Sequence, residues 1–267
     1  MKRVGFVPML FVLMSAASAA TEYAPDAMTV FLWHLDSPAS DSTLPDASRN
    51  HLDAQGTGVK MGTPSVPGLG SGTTNFASSR LLKVGPSPKL MDIAKGFTIE
   101  MWVRDPLTGE GWQSALPENA FSVFAQYRGQ AIQWVLSIDH RDKALSFRTV
   151  AEGRNYIYAS VQSRALDWEK GRWYHIAATC DVLDSDRVRV RIYRSAAGDR
   201  TAAPLAEKTM KSTNGDLKLY QVEKDGEIRV GGAGAGSRFL GSKCGVDELR
   251  YSCVAREPED FIEHVNN

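Results

Sequence analysis

Residues 97–104 read FTIEMWVR, residues 173–181 read WYHIAATCD, and residues 245–251 read GVDELRY. These three stretches, in this order, decide the fold. Each alternates apolar with polar residues, the period of a strand half-buried in a sheet. In the first, Phe97, Ile99, Met101 and Val103 share one face, while Thr98, Glu100, Trp102 and Arg104 share the other.

Working outward, the same period recurs along the chain and helical periodicity is almost absent. Residues 28–35 (MTVFLWHL) open the domain, and short pieces follow at 58–61, 73–76 and 81–84. Residues 121–127, 132–138, 145–150 and 156–161 read as four successive strands joined by short turns. Val188, Val190 and Ile192 alternate with Arg187, Arg189 and Arg191, which lines three guanidiniums along one face. Strands at 206–211, 228–230 and 246–251 finish the sheets. Glu257, Pro258, Glu259 and Asp260 carry the charge and first-turn proline of a brief terminal helix. Polar excursions occupy 108–119 and 195–204, and there is no internal repeat or long linker. The expected fold is all-β, a two-sheet antiparallel jelly-roll sandwich with a short C-terminal helix, formed as a single domain over 21–267.

Residues 1–20 are expected to stand outside that domain. A basic start (Lys2, Arg3), an apolar run over 4–14 and small residues over 15–20 form a secretory signal peptide, with cleavage after Ala19 or Ala20. The run is short of the roughly 20 apolar residues a membrane span needs. The expected location is secreted or periplasmic, with no membrane insertion. Setting Lys2 and Arg3 aside leaves 29 basic against 31 acidic side chains, a net charge near −2. That balance offers no long-range attraction to nucleic acid or to an anionic membrane.

Cys180, Cys244 and Cys253 allow at most one internal disulfide. Cys244 and Cys253 flank one strand and would lie roughly 25–30 Å apart at ~3.3 Å per residue, whereas a bridge tolerates about 7 Å. A pair between Cys180 and Cys244 requires their strands to be antiparallel neighbours; three thiols is the alternative.

At this point the chain resembles the laminin-G-like family of concanavalin A-like jelly rolls. FLWHLD at 31–36 resembles the family's opening strand, and DASRNHLD at 46–53 its D-x-S-G-N turn, with Arg49 where glycine is usual. FTIEMWVR, WYHIAATCD and GVDELRY, the last preceded by the glycine-rich run at 231–241, resemble its best-marked segments. The resemblance spans about 28–261. It implies two sheets packed face to face. It also implies a structural calcium held by Asp46, a carbonyl near Asn50, and Asp247, an all-oxygen set of the kind calcium takes.

Catalytic constellations are thin. Glycoside hydrolysis needs two carboxyls at a defined separation. Glu100 reads as alone on its strand face, and Asp247 and Glu248, being adjacent, should point to opposite faces. His175 reads as a hydrogen-bonded structural residue, and His34 and His51 lack zinc-ligand spacing. No G-x-S-x-G elbow is present, and GGAGAG at 231–236 lacks the lysine and helix of a phosphate loop. The ligand-binding candidates are the Arg187, Arg189 and Arg191 ladder, suited to sulfated or uronic polysaccharide, and Trp112, Tyr156 and Tyr158, with Tyr127 and Trp134 behind them. The expected function is therefore non-catalytic recognition of a polysaccharide or glycoprotein. A protein or matrix adhesion module is the first alternative, and a divergent glycoside hydrolase the second.

Overall fold

Alternation at period two is realised, among the described residues, as seventeen strands in the computed structural model. It describes residues 23–36, 42–66, 69–74, 81–91, 93, 95–107, 119–126, 132–139, 141–152, 157–199, 203–211, 218–219, 226–231 and 244–261. In chain order the strands are β1 (Thr29–Trp33), β2 (Thr43–Leu44), β3 (Ala54–Thr57), β4 (Lys60–Pro64), β5 (Ser71–Thr74), β6 (Leu81–Val84), β7 (Gly96–Arg104), β8 (Asn119–Gln126) and β9 (Ile132–Asp139). They continue as β10 (Leu145–Glu152), β11 (Ile157–Gln162), β12 (Trp173–Val182), β13 (Arg187–Ala196), β14 (Ala206–Lys211), β15 (Lys218–Leu219), β16 (Glu227–Val230) and β17 (Gly245–Ser252). The expected C-terminal helix is a single 3-10 turn, Pro258–Asp260.

Two antiparallel sheets form the sandwich. The first runs β14-β13-β12-β7-β17-β5-β4, with β1 also paired to β17; the second runs β11-β10-β9-β8-β16-β6-β3-β2, with β15 on β10. The three marker stretches are β7, β12 and β17, side by side at the centre of the first sheet, with β7 in the middle. Their inward residues pack on the second sheet. Phe97 meets Trp134 and Phe147, and Tyr251 lies against Phe31, Phe97 and Trp134. Trp134, a sugar-stacking candidate by sequence, is therefore core.

The outward faces of these strands depart from expectation. Half-burial predicts solvent there, yet the first eight residues of β7 and of β12 are all buried. The cover comes from the chain itself. Tyr23, Val66 and Leu69 pack on Leu32, Trp102 and Trp173, and Phe261 packs on Ala177 and Tyr193. A partial third layer thus lies over the first sheet.

Register also settles the cysteines. Cys180 pairs with Phe97 at one end of β7, and Gly245, next to Cys244, pairs with Arg104 at the other. Those ends lie about 23 Å apart at ~3.3 Å per residue, so Cys180 and Cys244 cannot bridge. All three cysteines are thiols.

Candidate ligand-binding site

On the outer face of the first sheet, the polar side chains are committed to one another. Glu100, His175 and Arg250 are buried there on β7, β12 and β17. Arg250 Nε donates to Glu100 Oε1 at 2.7 Å, and His175 Nε2 lies 3.1 Å from Glu100 Oε2. Glu100 is therefore not alone on its face: the register sets it opposite Arg250, and β12 brings His175 alongside. The trio lies under the C-terminal segment, where Arg250 Nη2 reaches the Asp260 carbonyl at 2.6 Å and Phe261 contacts the His175 ring at 5.7 Å. A substrate cannot reach it. These groups bind the strap to the sheet.

The arginine ladder is likewise committed to carboxylates of the chain, with Arg191 buried, Arg189 partly buried and Arg187 exposed. Arg187 Nε donates to Asp184 Oδ2 at 2.7 Å, and Arg189 Nη2 to Asp181 Oδ2 at 2.8 Å. Arg191 forms a two-pronged pair with Glu257 at 2.8 and 2.9 Å. The alternation was read correctly, but each guanidinium meets a carboxylate of its own chain. Its partners come from a turn, a neighbouring strand and the C-terminal strap, which no local pattern in 187–191 announces.

The three oxygen ligands expected for calcium fall into separate settings. Asp46 Oδ1 accepts from Leu32 N and Ser48 N, and Oδ2 accepts from Leu52 N and Ser48 Oγ, all within 2.7–2.9 Å. Asn50 Nδ2 donates to the Thr29 and Val30 carbonyls. Asp46 thus ties the 46–53 turn to β1, its four lone-pair directions filled. Asp247 instead bonds Ser65 Oγ and the Glu248 N–H. Among the described residues, no group of three His, Cys, Asp or Glu side chains is placed to hold a metal. In this arrangement the predicted set does not fit the ion.

A bulge in β17 also breaks the alternation assumed for Asp247 and Glu248. Register shifts between Asp247 and Arg250, and Glu248 adopts φ 49°. The Glu248 carboxylate meets His34 Nδ1 at 2.9 Å while its charge bears on Asp247. Burial, with smaller contributions from the Glu248 and Asp36 charges, pushes the Asp247 pKa up to about 9 against the hydrogen bonds that lower it. Neither carboxyl is exposed, so the pair serves the fold.

The second sheet is different. On β9, β10 and β11 its outward face opens as a groove of about 470 Å³ lined by Val135, Ser137, Ser146, Arg148, Ser160 and Gln162. Pairing sets these in two rows, Ser137–Ser146–Gln162 and Val135–Arg148–Ser160. Strands ~4.8 Å apart and rows ~6.6 Å apart give a patch roughly 10 Å by 7 Å. Ser137 Oγ and Ser146 Oγ share a hydrogen bond at 2.9 Å on the recessed side, while Arg148, Ser160 and Gln162 are exposed. Among the predicted aromatics, position 158 lies on β11 opposite Val150. Trp112, Tyr127 and Tyr156 lie outside the described residues. The groove residues went unremarked in the sequence although their signal was present: polar residues at alternate positions in three consecutive strands.

Fold and site together define an all-β, two-sheet sandwich whose first sheet is covered over its central strands by its own chain and whose second carries a serine-lined groove. No protein-family model matches the chain, and no curated protein matches it in sequence. Solved structures match it in fold. The binding domain of botulinum neurotoxin serotype G aligns at TM-score 0.57 and 13% identity, over 89% of this chain and 50% of that one. The binding domain of botulinum neurotoxin DC, in complex with SialylT, aligns at 0.52 and 13%, over 88% and 50%. Trypanosoma rangeli sialidase, in complex with 2,3-difluorosialic acid, aligns at 0.51 and 16%, over 91% and 33%. The chain spans half or less of the length of these structures, and at such identities the fold is what they share.

Proposed function

We propose that this chain is an exported, non-catalytic module of the laminin-G-like kind that binds carbohydrate, on a polysaccharide or glycoprotein, in the groove of β9–β11. One observation carries the reading: own-chain cover buries the central strands of the first sheet, and the second keeps a recessed face of three serines, a glutamine amide and a guanidinium. Hydroxyls and amides both donate and accept, which matches the mixed demands of sugar hydroxyls. Two of the structural relatives support the direction, since their structures were solved with SialylT and with a sialic acid derivative bound. Hydrolysis, the alternative, would require two carboxyls flanking a bound sugar, and product release from the same polysaccharides would reveal it. The test is titration calorimetry against a panel of soluble polysaccharides, using the wild type and Ser146→Tyr, which fills the groove from the middle strand. Binding lost in Ser146→Tyr with an unchanged melting temperature is expected. Equal binding by both proteins would move the site elsewhere.

A further inference from the structure

Burial across the groove is one-sided. Its first row continues onto β8, where Ser122 pairs with Ser137. Phe121 and Val123 on either side of Ser122 belong to the core, so Ser122 shares the outward face. Along Ser122, Ser137, Ser146 and Gln162 the side chains pass from buried, through half-buried at Ser146, to exposed at Gln162. The second row repeats the trend, with Val135 on β9 half-buried and Ser160 on β11 exposed. The groove is therefore shut toward β8 and open past β11, the outermost strand of its sheet. Along the strands it has a closed end as well. Beyond Ser146, toward the turn at Arg141 and Asp142, Ala144 is buried. The segment after β11 is tied across that end, with the Leu166 N–H and Trp168 Nε1 both donating to the Lys143 carbonyl.

A polymer held by an internal stretch must both enter and leave a groove, and here each direction of passage is blocked at one end. The lined patch is also short, spanning three strands at ~4.8 Å apiece. At its deep side the Ser137–Ser146 hydrogen bond uses one hydroxyl proton, which leaves the pair a second proton and further lone pairs. Resting on the carbohydrate-binding reading above, we infer that the groove recognises chain ends: a terminal sugar seats against Ser137 and Ser146, and the rest of the chain leaves past Ser160 and Gln162 over the edge of β11. Affinity for a polymer then follows the number of its termini and not its length.

Calorimetry on the full chain tests this with three linear polymers, pullulan, hyaluronan and polygalacturonate, each intact and after partial cleavage to much shorter chains. At least one of them should bind, with a single protein per chain at either length. Where cleavage multiplies the ends roughly 10-fold, apparent affinity per unit mass should rise about 10-fold while affinity per chain stays constant. Ser146→Tyr, at an unchanged melting temperature, should lose binding to both lengths. Borohydride reduction of the short chains opens the ring at one terminus: lost binding names the reducing end and retained binding the other, and either supports an end-on site. Several proteins on each long chain, or an affinity per unit mass unchanged by cleavage, would show internal recognition; the end-on assignment then falls and the carbohydrate reading stands. Binding retained by Ser146→Tyr takes both readings out of the groove, and both fall if none of the polymers or their fragments binds.

Discussion

Asp247 keeps its proton at neutral pH because the protein surrounds it with little water and two further carboxyls. Burial is the main cause, and the charges of Glu248 and Asp36 add to it. A pKa raised from 3.8 to about 9 means the folded chain holds this proton more tightly than the unfolded one. Its contribution to stability is complete below the unfolded value, declines as pH rises, and is gone above about 9. Asp247→Asn should therefore flatten the dependence of urea stability on pH between about 4 and 9; parallel profiles for the two proteins would contradict this. Asp46 acts through its hydrogen bonds, accepting from four donors of β1 and the 46–53 turn. Asp46→Ala strands the buried N–H groups of Leu32 and Leu52, at a cost of roughly 2–5 kcal/mol. The loss should be equal in calcium and in chelator, whereas a calcium ligand would show its effect only with the ion present. For Glu100, replacement by Leu leaves the Arg250 charge buried without its partner, which costs about 3–5 kcal/mol. Adding Arg250→Met should recover much of that in equilibrium unfolding. The last of these partnerships is far from local: Glu100 and Arg250 are 150 positions apart, and only the register of β7 on β17 joins them.

At the scale of elements, the C-terminal strap explains why the outer face of the first sheet is buried. Arg191 grips Glu257, Arg256 Nη2 grips Asp26 Oδ1 at 2.8 Å, and Phe261 packs edge-on against Tyr193 at 5.0 Å. Phe261→Ala should cost about 3–5 kcal/mol and raise protease sensitivity after Val254, while leaving saccharide binding on the far sheet unchanged. Acid should loosen the same strap. Arg191's hydrogen bond holds the Glu257 carboxyl below its ordinary pKa; burial pushes Asp26 upward, but the bonds from Arg256, Thr29 and Met28 outweigh it. Lowered folded values contribute stability above the unfolded pKa and lose it as pH falls. Strand periodicity was legible for β7 through β13 because each has enough alternating residues to show it. β2, β3 and β15 were not legible: AQGT at Ala54–Thr57 has no apolar alternation, and it is a strand because Leu82 and its neighbours on β6 supply the pairing. The terminal signal at 257–260 was legible as helical, but only one 3-10 turn formed, ending where Phe261 turns into the sheet.

For the whole molecule, thiol labelling gives a compact check on topology. Cys180 and Cys244 are fully buried, and burial pushes the Cys180 thiol well above its ordinary pKa. Cys253 is partly exposed. One thiol should react in the native protein and three after denaturation, with or without prior reduction; a change on reduction would reveal a bridge and a different strand order. The amino-acid sequence by itself determined the class of fold, because period-two alternation leaves a chain no other way to bury its apolar face. It also placed the order of the central strands' segments and the alternation of Arg187, Arg189 and Arg191. Tertiary structure decided which faces meet solvent, and with that, function. It covered Glu100, His175 and Arg191 with residues distant in the chain, and left the serine-lined groove of β9–β11 on the other sheet. The physical reason is that alternation tells inside from outside for one strand, whereas the cover over an outer face depends on where the rest of the chain returns.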